Sequence, residues 1–504
     1  MKNIFIKSLA GLMLAFGATG CGDKFLETDI YDAVDLESGL ATPGSIGYAL
    51  NGTYYRLCQY YFAGNYATTF GDLGSDIMYW NGDNNHQNAI YEYTYLDTYY
   101  GFQYVWVYGY KVVDNSARII KACDELLPDA NSEDAVDLQL YKAEAYALRA
   151  YAMSVLTNVF GHQVKVDGQD FSSEPGVVVV NEPVEAFAEV SRSSVGDCYT
   201  QILSDLNNSI QAYQQAGVSR TSGQVFSPAA VYGLMARVKL YLEDWTGAKE
   251  AADKALTLSG INSLAYTDAD YAALYSGLWS NGESIFFLAL DSSTNWSANS
   301  CGTLYTSYCY GPSPYLVSLY EDGDVRKSIM YWTNQQGTQY VEYGDALPWY
   351  GGGKFGTGSF NAVTGGNPAV QTNYLINAPE MFLIQAEADI KLGNLNDAKN
   401  ELLVVAKRNK DITSVNDLPA DAASLFAFLK DERARELFQE GHRLWDLRRW
   451  NETTNLYAYD APNIKYELNN VNVSGVVFPI PADEINAGFG VEQTPNWEAT
   501  RPQK

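Results

Sequence analysis

Two distant stretches of the chain space their small residues alike. In LMARVKLYLEDWTGAKEAADKAL, Ala236, Ala248 and Ala255 are separated by twelve and then seven residues. In LIQAEADIKLGNLNDAKNELLVV, Ala386 and Ala398 repeat the first interval and Val405 takes the third place. Small side chains at that spacing let two antiparallel helices pack closely, as in a tetratricopeptide pair. Helical periodicity also runs through 138–160, 195–213 and 425–450, and 144–160 reads as the first helix of a further pair. The expected fold is therefore mainly α, a tetratricopeptide-like helical-repeat scaffold. Its repeats stand far apart, so long irregular insertions must lie between them.

Two regions have the composition of such insertions. Residues 54–110 and 291–375 are dense in Tyr, Asn, Gly and Asp. Loops of that length inside a compact protein are usually functional. The tail, VVFPIPADEINAGFGVEQTPNW, carries Pro479, Pro481 and Pro495 and reads as an extended closing segment.

The N-terminus reads as an address. MKNIFIK is basic, and SLAGLMLAFGATG is too short and too rich in small residues to span a bilayer as a mature helix. Residues 1–20 are read as a secretory signal peptide. The small residues Ala18-Thr19-Gly20 before Cys21 resemble a bacterial lipoprotein cleavage box, with Ala18 standing where Leu is usual. Cys21 would then be the lipid anchor and 21–40 a tether. Asp23 and Glu27 resemble the surface-export signal of Bacteroidota lipoproteins. An ordinary secretory signal followed by a chance cysteine is the competing reading.

Charge and motif content narrow the chemistry. A formal charge of −27 with no Lys/Arg tract argues against nucleic acid. Cys58, Cys123, Cys198, Cys301 and Cys309 lack any CxxC spacing, so a zinc site or disulfide framework is not expected, although Cys301 and Cys309 could pair. With three histidines there is no HExxH, and neither a GxSxG elbow nor a phosphate-binding glycine loop occurs. A glycosidase needs only two suitably spaced carboxylates, and the chain has 60 acidic residues. That enzyme alternative stays open.

The densest charge is in ERARELFQEGHRLWDLRRW, residues 432–450. On one continuous helix, Glu432, Glu436 and Glu440 form a stripe, placed to pair with Arg433, Arg443 or arginines of a neighbouring helix. Gly441 falls where close approach or a bend is needed. The pattern reads as an ion-paired structural helix. A catalytic reading would require a cleft around His442.

The same stretch closely resembles the C-terminal signature of the SusD/RagB family. Glu432, Arg433, Glu436, Leu437, Glu440, Gly441, His442, Arg443, Asp446, Leu447, Arg448, Arg449 and Trp450 all match it. YKAEAYALRAYAMSVLTNVFG, SVGDCYTQILSDL, EMFLIQAEADIKLGNLNDAKNEL and FPIPADEI resemble further parts of that family. One departure is Ile376-Asn377-Ala378-Pro379-Glu380, where the family often carries an arginine. The ion pair expected there is in question.

The resemblance implies a SusD-like fold, with an N-terminal helical region over 41–282 and a C-terminal region over 283–504. It implies a non-enzymatic, lipid-anchored protein on the outer-membrane surface. Such a protein captures glycan and delivers it to a SusC-like TonB-dependent transporter. A RagB-like peptide-binding protein is the alternative. No cofactor is implied, and loop geometry decides whether a structural calcium ion is held.

A sugar ring offers an apolar C–H face to aromatic side chains and hydroxyls to amides and carboxylates. Tyr79, Trp80, Asn81, Asp83 and His86 supply that mixture in one region, and Trp296, Tyr305, Tyr308 and Tyr310 in another. These nine are the expected ligand contacts. Trp106, Trp245, Trp279, Trp445 and Trp450 lie in helical patterns and are assigned to the core.

Overall fold

The computed structural model describes residues 38–80, 84–275, 282–291, 295–305, 310–330, 332–334, 349–351, 353–355, 368–460 and 463–503. The described chain is mainly helical. The long helices are α1 (Pro43–Cys58), α2 (Tyr66–Leu73), α3 (Tyr100–Leu126), α4 (Ser132–Phe160), α5 (Val195–Ala216), α6 (Pro228–Tyr241), α7 (Trp245–Ser259), α8 (Ala378–Leu392), α9 (Leu395–Ala406), α10 (Ala422–Glu436) and α11 (Arg443–Arg449). No described helix is long and apolar enough to cross a membrane.

The alanine spacing builds the expected pairs. α6, with Ala236, packs against α7, with Ala248 and Ala255, and α8, with Ala386, against α9, with Ala398 and Val405; all six residues are fully buried. A side chain larger than valine at these places would hold the helix backbones apart. α4 packs against α5 as a third pair. Capping agrees with each start: Ser227 accepts from the Ala230 N–H ahead of α6, Ser194 from Asp197 ahead of α5, and Asp244 from Gly247 ahead of α7. α7 also packs on α8, which joins the two repeat pairs across the long segment between them.

Four strands close one side: β1 (Met78–Trp80), β3 (Tyr310–Pro312), β5 (Thr453–Asp460) and β6 (Asn463–Asn472), in the order β6-β5-β1-β3. β1 runs antiparallel to β3 and parallel to β5. A separate pair joins β2 (Ser284–Leu288) to β4 (Asn373–Asn377), the strand that leads into α8. One apolar core runs through the helices of both halves.

The charged stretch departs from the expected continuous helix. α10 ends at Glu436, and α11 begins at Arg443. Gly441 lies between them at φ +78°, and a Cβ there would stand 2.3 Å from the Thr68 carbonyl oxygen. Only glycine fits that approach without strain. Its N–H donates to Asp72 Oδ2 at 3.0 Å. Glu440 is thus off the helix, and the stripe reaches only to Glu436.

Every acid of the stretch meets a cation, as the structural reading expects, although several partners come from elsewhere. Glu432 pairs with Arg326 at 2.7 Å and Arg435 at 2.6 Å. Glu436 pairs with Arg326 at 3.1 Å and Arg408 at 2.8 Å. Glu440 pairs with Lys354, and Asp446 with Arg433 at 2.8 Å and Arg449 at 2.9 Å. Arg443 reaches back to Asp76 at 2.7 Å. Arg448 instead donates to the Asn158 and Gly161 carbonyls at 2.7 and 3.0 Å, satisfying the end of α4. With no carboxylate paired to it among the described residues, burial pulls its guanidinium down to about 10.

The ion pair in question near Ile376–Glu380 is present. Arg237 of α6 donates to both oxygens of Glu380 at 2.6 and 2.7 Å and to the Leu375 carbonyl at 2.7 Å. The arginine comes from a distant helix. Trp106, Trp445 and Trp450 are buried in the core as expected, Trp245 is half-buried against it, and Trp279 lies outside the described residues.

Candidate functional site

The nine expected contacts divide. Asn81, Asp83 and Tyr308 lie outside the described residues, as do Cys21, Cys309 and the signal peptide. Tyr79, Tyr305 and Tyr310 are fully buried, which removes their rings from a stacking surface. The reason is β1. It runs inside the sheet, with Tyr79 opposite Gly311 and Trp80 opposite both Tyr310 and Ala458. A strand with a neighbour on each side and a packed core has no open face for Tyr79. Tyr310 donates its hydroxyl to the His86 carbonyl at 3.0 Å, and its ring meets Tyr91 at 5.7 Å. Tyr305 stacks on Phe355 and donates to Asp72 Oδ2 at 3.4 Å. Burial raises the Asp72 carboxyl to about 7.

Trp80, His86 and Trp296 remain partly exposed. Trp80 donates its indole N–H to the Asn84 carbonyl at 2.9 Å. Burial lowers the His86 imidazole below its ordinary value. Trp296 stands elsewhere. Its indole N–H donates to the Cys58 carbonyl at 2.8 Å, at the end of α1.

Around Trp296 the structure gathers rings that the sequence reading did not select. Its ring centre lies 6.1 Å from Tyr55 and 6.2 Å from Tyr60. Tyr60 contacts Tyr61 at 3.9 Å, and Tyr61 meets Tyr104 at 4.5 Å and stacks on Tyr108 at 4.5 Å. Tyr100 continues the line, 5.5 Å from Tyr104. All of these rings are partly or well exposed, Tyr55 by 51% and Tyr100 by 43%.

Two local causes produce this surface. Tyr100, Tyr104 and Tyr108 recur every fourth residue on α3, which sets one ring per turn about 6 Å apart along the axis. Tyr60 and Tyr61 sit in a tight turn between α1 and α2, closed by Phe62 N–H to the Gln59 carbonyl at 2.8 Å and Gly64 N–H to the same oxygen at 3.0 Å. A Cβ on Gly64 would stand 2.2 Å from the Cys58 carbonyl oxygen. The turn buries Phe62 and leaves the tyrosine doublet outward. The signal for this surface was the spacing of YGFQYVWVY, which overrides the loop-like composition of 54–110.

The surface carries little charge. Desolvation, with the neighbouring Tyr61 phenol next, raises Tyr60 above its ordinary value; desolvation and then Tyr61 raise Tyr104. Both remain neutral hydrogen-bonding phenols at physiological pH. The Lys111 ammonium lies 4.4 Å from the centre of the Tyr108 ring. Flat rings edged by phenol hydroxyls suit a ligand with alternating C–H and hydroxyl surfaces. Among the described residues, no group of three or more His, Cys, Asp or Glu could hold a metal ion.

Comparison with known proteins agrees with this architecture. A family model described as the SusD family matches residues 359–497, and one described as starch-binding, associating with the outer membrane, matches 48–240. No curated protein matches the chain in sequence. A SusD superfamily protein from Bacteroides thetaiotaomicron superposes with a TM-score of 0.77 at 22% identity, over 90% of this chain and 100% of its own. A SusD superfamily protein from Bacteroides vulgatus gives 0.76 at 23%, over 92% and 100%. A SusD-like carbohydrate binding protein from the same species gives 0.69 at 20%, over 92% and 95%. With related family models matching both its N-terminal and its C-terminal regions, on one shared helical architecture, the chain belongs to the SusD family.

Proposed function

We propose that this chain is a cell-surface glycan-binding lipoprotein that captures an oligosaccharide and delivers it to a SusC-like TonB-dependent transporter of the outer membrane. Cys21 is its lipid anchor. The observation that carries the reading is the unbroken line of ring contacts from Tyr55 through Trp296, Tyr60 and Tyr61 to Tyr104 and Tyr108. A single stacked sugar needs one ring, whereas a line of rings along a helix suits a chain of them. The starch-binding description of the N-terminal match and the carbohydrate-binding relative point the same way. Trp80 and His86, partly exposed, are retained as further candidate contacts. Binding without hydrolysis is proposed; the four acids of the 432–450 stretch are each engaged by a cation inside the fold, which takes that stretch out of a catalytic role.

The test is calorimetry and affinity electrophoresis against neutral polysaccharides, starch included, with a reducing-end assay on the same samples. The wild type binds at least one of them, tightens with chain length and releases no product. Trp296→Ala and Tyr61→Ala each weaken binding about tenfold, the worth of one aromatic contact. Unchanged affinity in both variants removes this surface as the binding site.

A further inference from the structure

We propose that Asn65 is the positioning residue of the glycan surface, a side chain that holds the Trp296 segment and the Asn84–Gln87 segment, to which the Trp80 indole is hydrogen-bonded, on the same tyrosine turn. Its effect on ligand rests on the proposed glycan-binding reading; its effect on the two segments does not.

Asn65 follows Gly64 at the end of the turn that presents Tyr60 and Tyr61, and it is fully buried. Its Nδ2 donates to the Asn299 carbonyl at 2.6 Å, three residues after Trp296. Its Oδ1 accepts from Gln87 Nε2 at 3.0 Å, the residue after His86. The Thr69 hydroxyl lies 2.8 Å from Gln87 Oε1 and 3.2 Å from Asn65 Oδ1, so its proton reinforces the same junction. One amide therefore faces two segments that are more than two hundred residues apart in sequence.

Only an amide of this length serves both. The donor side meets a carbonyl and the acceptor side meets an N–H, so a carboxylate would lose the first bond and an alanine both. The Gln87 end is held against a conformational cost. Its backbone sits at φ 59°, a region unfavourable for a residue with a side chain, and the residue is buried. The Trp296 end has two further ties, the Trp296 indole to the Cys58 carbonyl and the Cys301 thiol to the Gly64 carbonyl at 3.4 Å. Losing Asn65 should thus loosen that segment without unfolding it. All of these ties converge on the Cys58–Asn65 turn, which makes the turn the reference frame for both aromatic groups.

The experiment is hydrogen–deuterium exchange on the full chain, paired with the polysaccharide titration. Asn65→Ala should speed exchange roughly tenfold in both 295–305 and 84–91, leaving α4 to α9 unchanged. Gln87→Ala should speed 84–91 alone. Against whichever polysaccharide the wild type binds, Asn65→Ala should lose as much affinity as Trp296→Ala, although it removes no exposed ring. Exchange that stays unchanged in both segments, or rises equally throughout the helices, overturns the assignment. Should Asn65→Ala not fold, Gln87→Ala decides: faster exchange confined to 84–91 supports the junction, and unchanged exchange there overturns it. If the wild type binds no polysaccharide, the glycan reading fails by itself and the exchange pattern still decides Asn65.

Discussion

Replacing His442 with glutamine should change how the protein's stability responds to acid. The imidazole is buried, and its nearest carboxylate, Glu380 at 3.9 Å, is already held by Arg237. Burial is the largest influence and lowers the ring to about 3; Glu380 opposes this, and Arg237 and Arg433 add to it. The unfolded chain takes up the same proton near pH 6.5. Between those values the unfolded state binds more protons than the folded one, so stability falls as pH falls. From pH 6.5 to pH 4.5 the loss amounts to about 2.3 kcal/mol, because the unfolded histidine is only half protonated at the upper end. Asp72 acts in the opposite direction. Its carboxyl is raised to about 7 in the fold, so the folded state takes its proton first and gains stability over much of the same range. The wild-type curve alone therefore hides the histidine, and the difference between proteins reveals it. Urea unfolding of wild type and His442→Gln at pH 7.5 and pH 4.5 should give a stability difference that shifts by about 2.5 kcal/mol in favour of the variant at the lower pH. A difference that stays constant within error would show that His442 is not the buried neutral group described above. Polysaccharide selectivity should be unchanged in the variant, since His442 is buried inside the scaffold.

Three further outcomes are expected. Gly441→Ala places a Cβ 2.3 Å from the Thr68 carbonyl at a positive φ, and should lower the unfolding free energy by about 3 kcal/mol or more, read by chemical denaturation. Glu436→Ala leaves Arg326 with two of its three acidic partners and Arg408 with Glu283 alone. The buried charge left behind should cost about 3–5 kcal/mol, whereas Asp322→Ala, which breaks the solvent-exposed Lys327–Asp322 pair, should leave stability nearly unchanged. Cys21→Ala should move the protein from the membrane fraction to the soluble fraction of cells; retention on the membrane counts against the lipid anchor.

Much of the scaffold was legible because its signals are local. Alanine intervals, caps and amphipathic periods each act within a few turns of helix, and Ala236, Ala248, Ala386 and Ala398 landed where the intervals put them. The charged stretch was legible in role and not in shape. Its acids are paired as expected, but the partners Arg326, Lys354 and Arg408 come from segments the sequence does not bring near it. The break is marked locally by Gly441, but what it approaches, the backbone of α2, is a long-range contact the sequence does not name. The binding surface was the least legible part. Tyr79 and Tyr310 have the composition of ligand contacts and were buried by a strand pairing between positions far apart. Tyr55, Tyr60, Tyr61, Tyr104 and Tyr108 were passed over because a Tyr-rich segment was weighed by composition, where its four-residue spacing would have shown a helix face.

The sheet has a consequence for how the chain comes to be folded. β1 ends at Trp80, and its parallel neighbour contributes Ala458. The helix pairs can form from contacts between adjacent segments, whereas β1 pairs first with β3 and gains its second neighbour only when nearly the whole chain is present. Loop closure over that span is slow, and an unpaired strand edge is prone to wrong partners in the meantime. A fragment ending before residue 453 should thus hold its helix pairs and the β1–β3 pair, and lack the β5–β6 half of the sheet. Strand β5 then acts as the last step that fixes the second edge of β1 at Trp80.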